Sequence, residues 1–321
     1  MAEKGAEDSG RGDGMKGRQV LMTGATGYIG RELARRLLEA GAEVGVVTAD
    51  PAQARDILGV GVPCWGREEC LADGGPLEGR RLLLHAGFAR PYAGEAEIAR
   101  SLEFTGRLFA RAAEARIPAV LLLSSRSVYG RATPPPWSEE SPPAPSNPYG
   151  EAKFASEVML GMVRRFSPLT RTCAVRLGTV SGGGEGLVDV FVLSRFVLAA
   201  LRGDRIRIFG GSQEFDILDL RDAADALARL VREPAANWRP VYNLGSPVSQ
   251  KIRHLAERAV ALAAEHGRRG SVITTEPAGP DRTPRYGMDC ARFCGGLGWR
   301  PLRSLDDTIR SLIEYYLPRL K

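Results

Sequence analysis

Short apolar runs alternate with helical patterns between Arg18 and about Arg176. The runs cover residues 19–22, 43–47, 81–85, 119–124 and 172–176. Runs this short and this apolar suit a parallel sheet whose strands are joined by crossover helices. Between the first two, Leu33, Leu37 and Leu38 recur at helical spacing, Arg and Glu fill the opposite face, and Gly41 supplies the stop. This is one strand–helix–strand unit of about thirty residues.

Past Arg176 the pattern loosens. A glycine cluster at 182–184 precedes an apolar helical run over 188–201, a short strand over 205–209, a helix from near Asp222 and a strand over 241–244. Residues 133–148 hold seven prolines between a strand and a helix, which predicts a rigid loop. The pattern as a whole predicts an α/β fold, a doubly wound parallel sheet with a smaller C-terminal lobe. The expected division is a flexible tail over residues 1–17, a main domain over 18–180 whose sheet is completed by about 213–245, and a smaller lobe over 181–212 and 246–321.

Composition narrows the classes. In 321 residues, 44% hydrophobic and 26% charged, the chain has the balance of an ordinary globular protein. The net charge of +6 is spread along the sequence without a basic block, which argues against nucleic acid as a partner and suits an anionic small molecule. Five scattered cysteines, Cys64, Cys70, Cys173, Cys290 and Cys294, argue against a disulfide framework and for the cytoplasm. Cys290 and Cys294 lie four apart, but His85, His254 and His266 offer no matching pair, so no metal site is expected. The first 17 residues lack an apolar core and no stretch reaches the ~18 apolar residues of a membrane span, so no membrane partner is expected either.

The chemistry begins at Thr23-Gly24-Ala25-Thr26-Gly27-Tyr28-Ile29-Gly30, which follows the first strand and opens the first helix. Gly24 permits a tight turn, Gly27 admits a pyrophosphate close to the backbone, and Gly30 lets the helix pack closely. Free N–H groups and the positive end of the helix dipole then face the anion. NAD-binding versions place an acid about twenty residues on, at the end of the second strand. Here Thr48 occupies that place and Asp50 falls two residues later. Arg31 offers a charge for a 2'-phosphate, and the expectation leans to NADP over NAD.

Tyr149 and Lys153 stand four apart, on one helix face. A phenol titrates near ~10, and a neighbouring ammonium favours the phenolate, making tyrosine a usable general acid or base. The run ending in Ser124 and Ser125 places hydroxyls at the carboxyl end of a strand, where ligands of such sheets bind. Ser125 can hydrogen-bond the oxygen that Tyr149 protonates.

These residues, with Ser124-Ser125-Arg126-Ser127-Val128-Tyr129-Gly130 and Leu297-Gly298-Trp299-Arg300-Pro301, resemble an extended short-chain dehydrogenase/reductase of the NAD-dependent epimerase/dehydratase family, from Arg18 to the end. The resemblance implies a Rossmann sheet and cofactor contacts from Gly24, Thr26, Gly27, Tyr28, Ile29, Gly30, Arg31, Thr48, Asp50, Ala86, Gly87 and Ser124. It implies that Lys153 also holds the nicotinamide ribose beside Tyr149. Substrate contacts fall to Ser125, Arg126, Ser127, Thr179, Phe215, Arg282 and Arg285. It further implies a homodimer through helices near 104–116 and 149–164, and a nucleotide sugar as substrate.

The family pattern breaks in places. Phe215 stands where the family has an arginine for the substrate diphosphate, Asp219 where it has a histidine, and Thr179 where an asparagine often touches the sugar. Arg282 and Arg285 could compensate. Arg126-Ser127 replaces the Asp-Glu with which sugar dehydratases eliminate water, so the resemblance points to a ketoreductase or epimerase. Two alternatives remain, a reductase of a small non-nucleotide carbonyl compound and a cofactor-bound relative without turnover.

Overall fold

The computed structural model describes residues 15–188, 191–277 and 285–320. Its strands are β1 (Gln19–Thr23), β2 (Glu43–Val47), β3 (Cys64–Trp65), β4 (Leu82–His85), β5 (Ala119–Ser125), β6 (Arg171–Leu177), β7 (Thr179–Ser181), β8 (Ile206–Phe209), β9 (Glu214–Asp219), β10 (Val241–Leu244), β11 (Ser249–Lys251), β12 (Ile273–Glu276) and β13 (Arg285–Tyr286). The helices are α1 (Tyr28–Glu39), α2 (Pro51–Leu58), α3 (Arg67–Leu71), α4 (Glu95–Glu114), α5 (Pro148–Phe166), α6 (Val192–Arg202), α7 (Leu220–Arg232), α8 (Ile252–Glu265), α9 (Ala291–Leu297) and α10 (Leu305–Tyr316).

The main sheet runs β3-β2-β1-β4-β5-β6-β10, and every neighbouring pair is parallel. Its strands read as unbroken apolar runs because both faces are covered. Alternate residues go to opposite cores: Val20, Met22, Leu84 and Leu121 pack with α1 and α7, and Leu21, Leu83, Val120 and Leu122 pack with α4 and α5. The chain reverses its direction of winding between β1 and β4, which opens a crevice at their carboxyl ends. The β5–β6 register sets Ser125 against Leu177 at the same edge.

A second core, with Leu193, Val197, Leu255, Leu262, Ile309 and Leu312, joins α6, α8 and α10. Beside it lie a small sheet in the order β11-β9-β13, with β7 on β9, and the pair β8–β12. The expected completion of the main sheet over 213–245 therefore splits. β10 joins the sheet, whereas β9 goes to the lobe, because Phe215 and Ile217 face the second core while Leu218 faces the first.

Two further differences have local causes. Residues 1–14 of the expected tail lie outside the described residues, but its last part is packed: Met15 is 1% exposed in the main core, and Gly17 donates to the Gly41 carbonyl. The two-residue strand β3 is too short to show a period. In the proline-rich loop, Trp137 stacks on Tyr129 with ring centres 5.6 Å apart, anchoring the segment against the body. Among the described residues no helix is long and apolar enough to cross a membrane.

Candidate active site

The glycine turn is built as its spacing requires. Gly24 has φ +72°, and a Cβ there would lie 2.5 Å from the Gly87 nitrogen, so this turn and the one after β4 touch backbone to backbone. A Cβ on Gly30 would sit 1.9 Å from the Gly24 carbonyl oxygen, so α1 packs on the turn through Gly30 as well as opening from it. Gly27 is the N-cap of α1, and no side chain caps that end. With no acid in the first turn, the N–H groups and the dipole are left for an anion.

The helix after β2 differs. Asp50 caps α2, accepting from the Gln53 nitrogen at 2.9 Å, with Pro51 behind it in the first turn. Thr48 Oγ1 accepts from the Asp50 nitrogen at 3.4 Å. The Asp50 carboxylate is thus already used by its own helix. Arg31 faces Glu185 at 3.9 Å.

Beneath the cradle runs a buried hydrogen-bond chain with one direction. The Gly87 N–H donates to Thr23 Oγ1 at 2.9 Å, which leaves the Thr23 hydroxyl hydrogen free for His85 Nδ1 at 2.7 Å. Thr105 spends its own hydrogen on the Ser101 carbonyl at 2.7 Å, so it accepts from His85 Nε2–H at 2.9 Å. His85 is therefore the neutral Nε2–H tautomer. Burial, with Lys153 and Arg67 nearby, holds its pKa down at about 3. Its place in the chain is to fix the turn at Gly87.

A cleft of about 200 Å³ gathers most of the expected cofactor residues: Gly24, Gly27, Tyr28, Ile29, Gly30, Ala86, Ser124, Tyr149 and Lys153 line it. Thr26, Arg31, Thr48, Asp50 and Gly87 are outside that lining, although Gly87 shapes it from behind. One wall belongs to the second lobe. Gly186, with φ +81°, would bring a Cβ within 3.2 Å of the Tyr28 nitrogen, and the Tyr28 hydroxyl donates to the Gly182 carbonyl at 2.6 Å. Glu185, between these glycines, reaches both Arg31 and Arg319.

Asn147 opens α5, its side chain accepting from the Gly150 nitrogen, and so aims Tyr149 and Lys153 into the cleft. Lys153, 4% exposed, donates to the Leu123 carbonyl at 2.8 Å, and its Nζ lies 5.9 Å from the centre of the Tyr149 ring. Burial pushes the Tyr149 phenol up to about 12, and a hydrogen bond with Ser125 pulls it back in part. The expected lowering by the lysine is not in force in this state, because the Lys153 hydrogen bond goes to a carbonyl. Burial brings Lys153 itself down to about 7, against the raising effect of Glu157.

Sequence reasoning missed two groups here. Glu157, one turn beyond Lys153, is buried and held by Arg176 in a two-pronged pair, with Nη2 to Oε2 at 2.7 Å and Nε to Oε1 at 3.1 Å. Ser124 Oγ donates to the same carboxylate. The 149, 153, 157 spacing was the signal for it. Phe88 is the other, and it touches both Tyr149 and Lys153.

The substrate side is partly described. Ser125 Oγ donates to Ser127 Oγ and accepts from the Ser127 nitrogen, both at 3.2 Å, in a 3-10 turn over Arg126–Val128. Arg126 binds the fully buried Asp216 at 2.9 Å. Burial raises Asp216 to about 7 against the pull of Arg126. Thr179 Oγ1 is buried without a hydrogen-bond partner among the described residues. Phe215 packs against the second core. Arg282 lies outside the described residues, and of Arg285 only the backbone is described, paired in β13 with Glu214. Among the described residues no group of three or more His, Cys, Asp or Glu is placed to hold a metal.

Comparison with known proteins places this architecture. The model of the NAD dependent epimerase/dehydratase family matches residues 20–65 and 88–245. The low-salt glycan biosynthesis protein Agl12 of Haloferax volcanii is 28% identical over 93% of this chain and 98% of that protein. The dTDP-6-deoxy-L-talose 4-dehydrogenase (NAD(P)(+)) of Kitasatospora kifunensis is 30% identical over 92% and 94%. A dTDP-glucose 4,6-dehydratase of Salmonella typhimurium is 30% identical over 58% of this chain and 51% of that one. Among solved structures, the UDP-glucose 4-epimerase of Thermotoga maritima superposes with TM-score 0.79 at 22% identity, over 94% and 99% of the two chains. MoeE5 in complex with UDP-glucose and NAD gives 0.76 at 26%, over 94% and 100%.

Proposed function

This chain belongs to the NAD dependent epimerase/dehydratase family and is an NAD(P)-dependent enzyme, and from that premise we propose that it oxidises and reduces a carbinol carbon of a nucleotide-linked sugar, as a ketoreductase or epimerase, without loss of water. The observation that carries this reading is the meeting of Tyr149 and Lys153 with the glycine cradle in one cleft, Ser125 bonded to the phenol at its edge.

The cradle fits a dinucleotide, since its uncapped helix end and its close-packed glycines leave no side chain in the way of a pyrophosphate. When bound, the nicotinamide supplies or accepts the hydride. Every other part falls to this chain. In reduction Tyr149 gives its proton to the substrate oxygen while the Ser125 hydroxyl donates a hydrogen bond to it, and in oxidation the tyrosine takes the proton back. A phenol titrating near 12 keeps its proton at neutral pH. Lys153 stabilises the phenolate left behind and holds the ribose hydroxyls, and the Glu157–Arg176 pair fixes the helix turn that carries it.

The exclusion of water loss rests on the two residues after Ser125. Arg126 is committed to Asp216 and Ser127 to Ser125, so neither supplies the acid and base that dehydration needs, although dehydratases are among the relatives. NADP is favoured over NAD by Thr48 in the acid's place and by the capping role of Asp50. A homodimer is supported by an exposed apolar stripe on α5, where Val158, Met162 and Phe166 are 53%, 44% and 75% exposed at four-residue spacing, and a cytoplasmic location by the unpaired state of the described cysteines. One observation favours a second reading, a neutral small carbonyl substrate: Phe215, at the position where the family has its diphosphate arginine, packs an uncharged ring against the second core.

The test is direct. Purified protein is scanned against a panel of sugar nucleotides with NADPH and NADH, following nicotinamide absorbance for reduction and sugar composition for epimerisation. Turnover of one nucleotide sugar without water loss supports the proposal, and release of a 4-keto-6-deoxy product overturns it.

A further inference from the structure

Among the described residues, Lys153 is a buried ammonium with no carboxylate directly on it. Its hydrogen bond goes to the Leu123 carbonyl, and its Nζ sits 4.3 Å from the centre of the Phe88 ring. The same ring meets Tyr149 edge to face, with centres 6.2 Å apart at 75°. Phe88 is held for this. It comes directly after the Ala86–Gly87 turn that the Thr23–His85 chain fixes, and it packs with Ile98 and Ala152 in a small apolar cluster. It also lines the cleft in which the cradle opens.

We propose that Phe88 is a positioning residue for the proton machinery, its ring face seating the Lys153 ammonium and its edge seating the Tyr149 ring, so that the two stand assembled before the dinucleotide arrives. The inference rests on the assignment of Tyr149 and Lys153 to proton transfer, but its structural content does not depend on any substrate. An ammonium taken out of water gains most from a ring face, because no water screens the attraction. The other charged and titratable groups facing Lys153 are Tyr149 and Glu157 on α5, Arg176 on β6 and His85 on β4. Arg176 is spent on Glu157 and His85 is neutral, which leaves Glu157, the Leu123 carbonyl and Phe88 to favour the cation against burial.

The chain holds only five lysines, Lys4, Lys16, Lys153, Lys251 and Lys321, so their side-chain signals can be resolved singly. Protein labelled with 13C at lysine Cε is titrated by NMR without cofactor or substrate, as wild type, Phe88→Leu, Phe88→Tyr and Lys153→Met, the last identifying the signal. The wild-type Lys153 methylene should be displaced by the ring current and titrate near 7. In Phe88→Leu the displacement should vanish and the midpoint fall by about one pH unit, the size of a desolvated cation–ring contact. Phe88→Tyr should restore both. An unchanged midpoint in Phe88→Leu, or the same fall in Phe88→Tyr, overturns the proposal. Failure to find a nucleotide-sugar substrate would overturn the proposed function and leave this result standing.

Discussion

Lys153 Nζ lies 5.9 Å from the centre of the Tyr149 ring yet gives its hydrogen bond to the Leu123 carbonyl, so the two side chains share a pocket without sharing a bond. In this state the phenol is therefore a strong holder of its proton.

Tyr149→Phe removes the proton donor and leaves the cradle intact. Turnover should fall by about 10²- to 10⁴-fold, the usual worth of a positioned acid or base, with dinucleotide affinity within about threefold of the parent. Steady-state kinetics and fluorescence titration measure both, and activity within tenfold of wild type removes Tyr149 from the mechanism.

Lys153→Met should weaken cofactor binding as well as turnover, and it carries a sign for stability. The folded lysine titrates near 7 and the unfolded one near 10.5. Between those values the unfolded chain binds more protons, so wild-type stability rises with pH across this window and the contribution is lost as pH falls through about 7. Melting temperatures from pH 6.5 to 10 should show that slope in the wild type and a flatter one in Lys153→Met.

Gly30→Ala places a methyl 1.9 Å from the Gly24 carbonyl oxygen. The turn must shift, at a cost of about 1–3 kcal/mol by analogy with overpacked cores, and the phosphate cradle shifts with it. A lower melting temperature together with a tenfold or greater loss of NADPH affinity is expected. Normal affinity would show that the dinucleotide does not read this turn.

Asp50→Asn should leave the NADPH-to-NADH affinity ratio unchanged, because asparagine caps a helix as well as aspartate does. A swing toward NADPH in the mutant would mean that Asp50 serves the ribose, not its helix. NADPH should bind the wild type at least as tightly as NADH.

Met162→Asp puts a charge in the middle of the exposed stripe on α5. Sedimentation should show a dimer for wild type and a monomer for the variant, with the melting curve otherwise preserved. A wild type that sediments as a monomer removes this interface.

What the sequence disclosed was local. The cradle, the Tyr149–Lys153 spacing and Ser125 at a strand end are each set within a few residues, and the crevice arises from a strand order that the parallel pattern implies. What stayed hidden depends on distance along the chain. Phe88 reaches Lys153 only because β4 and β5 are neighbours, and Arg126 meets Asp216 across 90 residues. Asp50 was legible in principle, since an aspartate before a proline is a helix start, but its nearness to the ribose position suggested the other use. β9 carries apolar residues for two cores at once, and no single-sheet pattern describes such a strand.

The second lobe closes one wall of the cleft through Gly186 on the Tyr28 backbone, the Tyr28–Gly182 hydrogen bond and the Glu185 tie to Arg31 and Arg319. Under the proposed function, a dinucleotide in the cleft would have to pass this wall, whereas the Ser125 end of the cleft is not crossed by these contacts, so the two ligands would come and go by different doors.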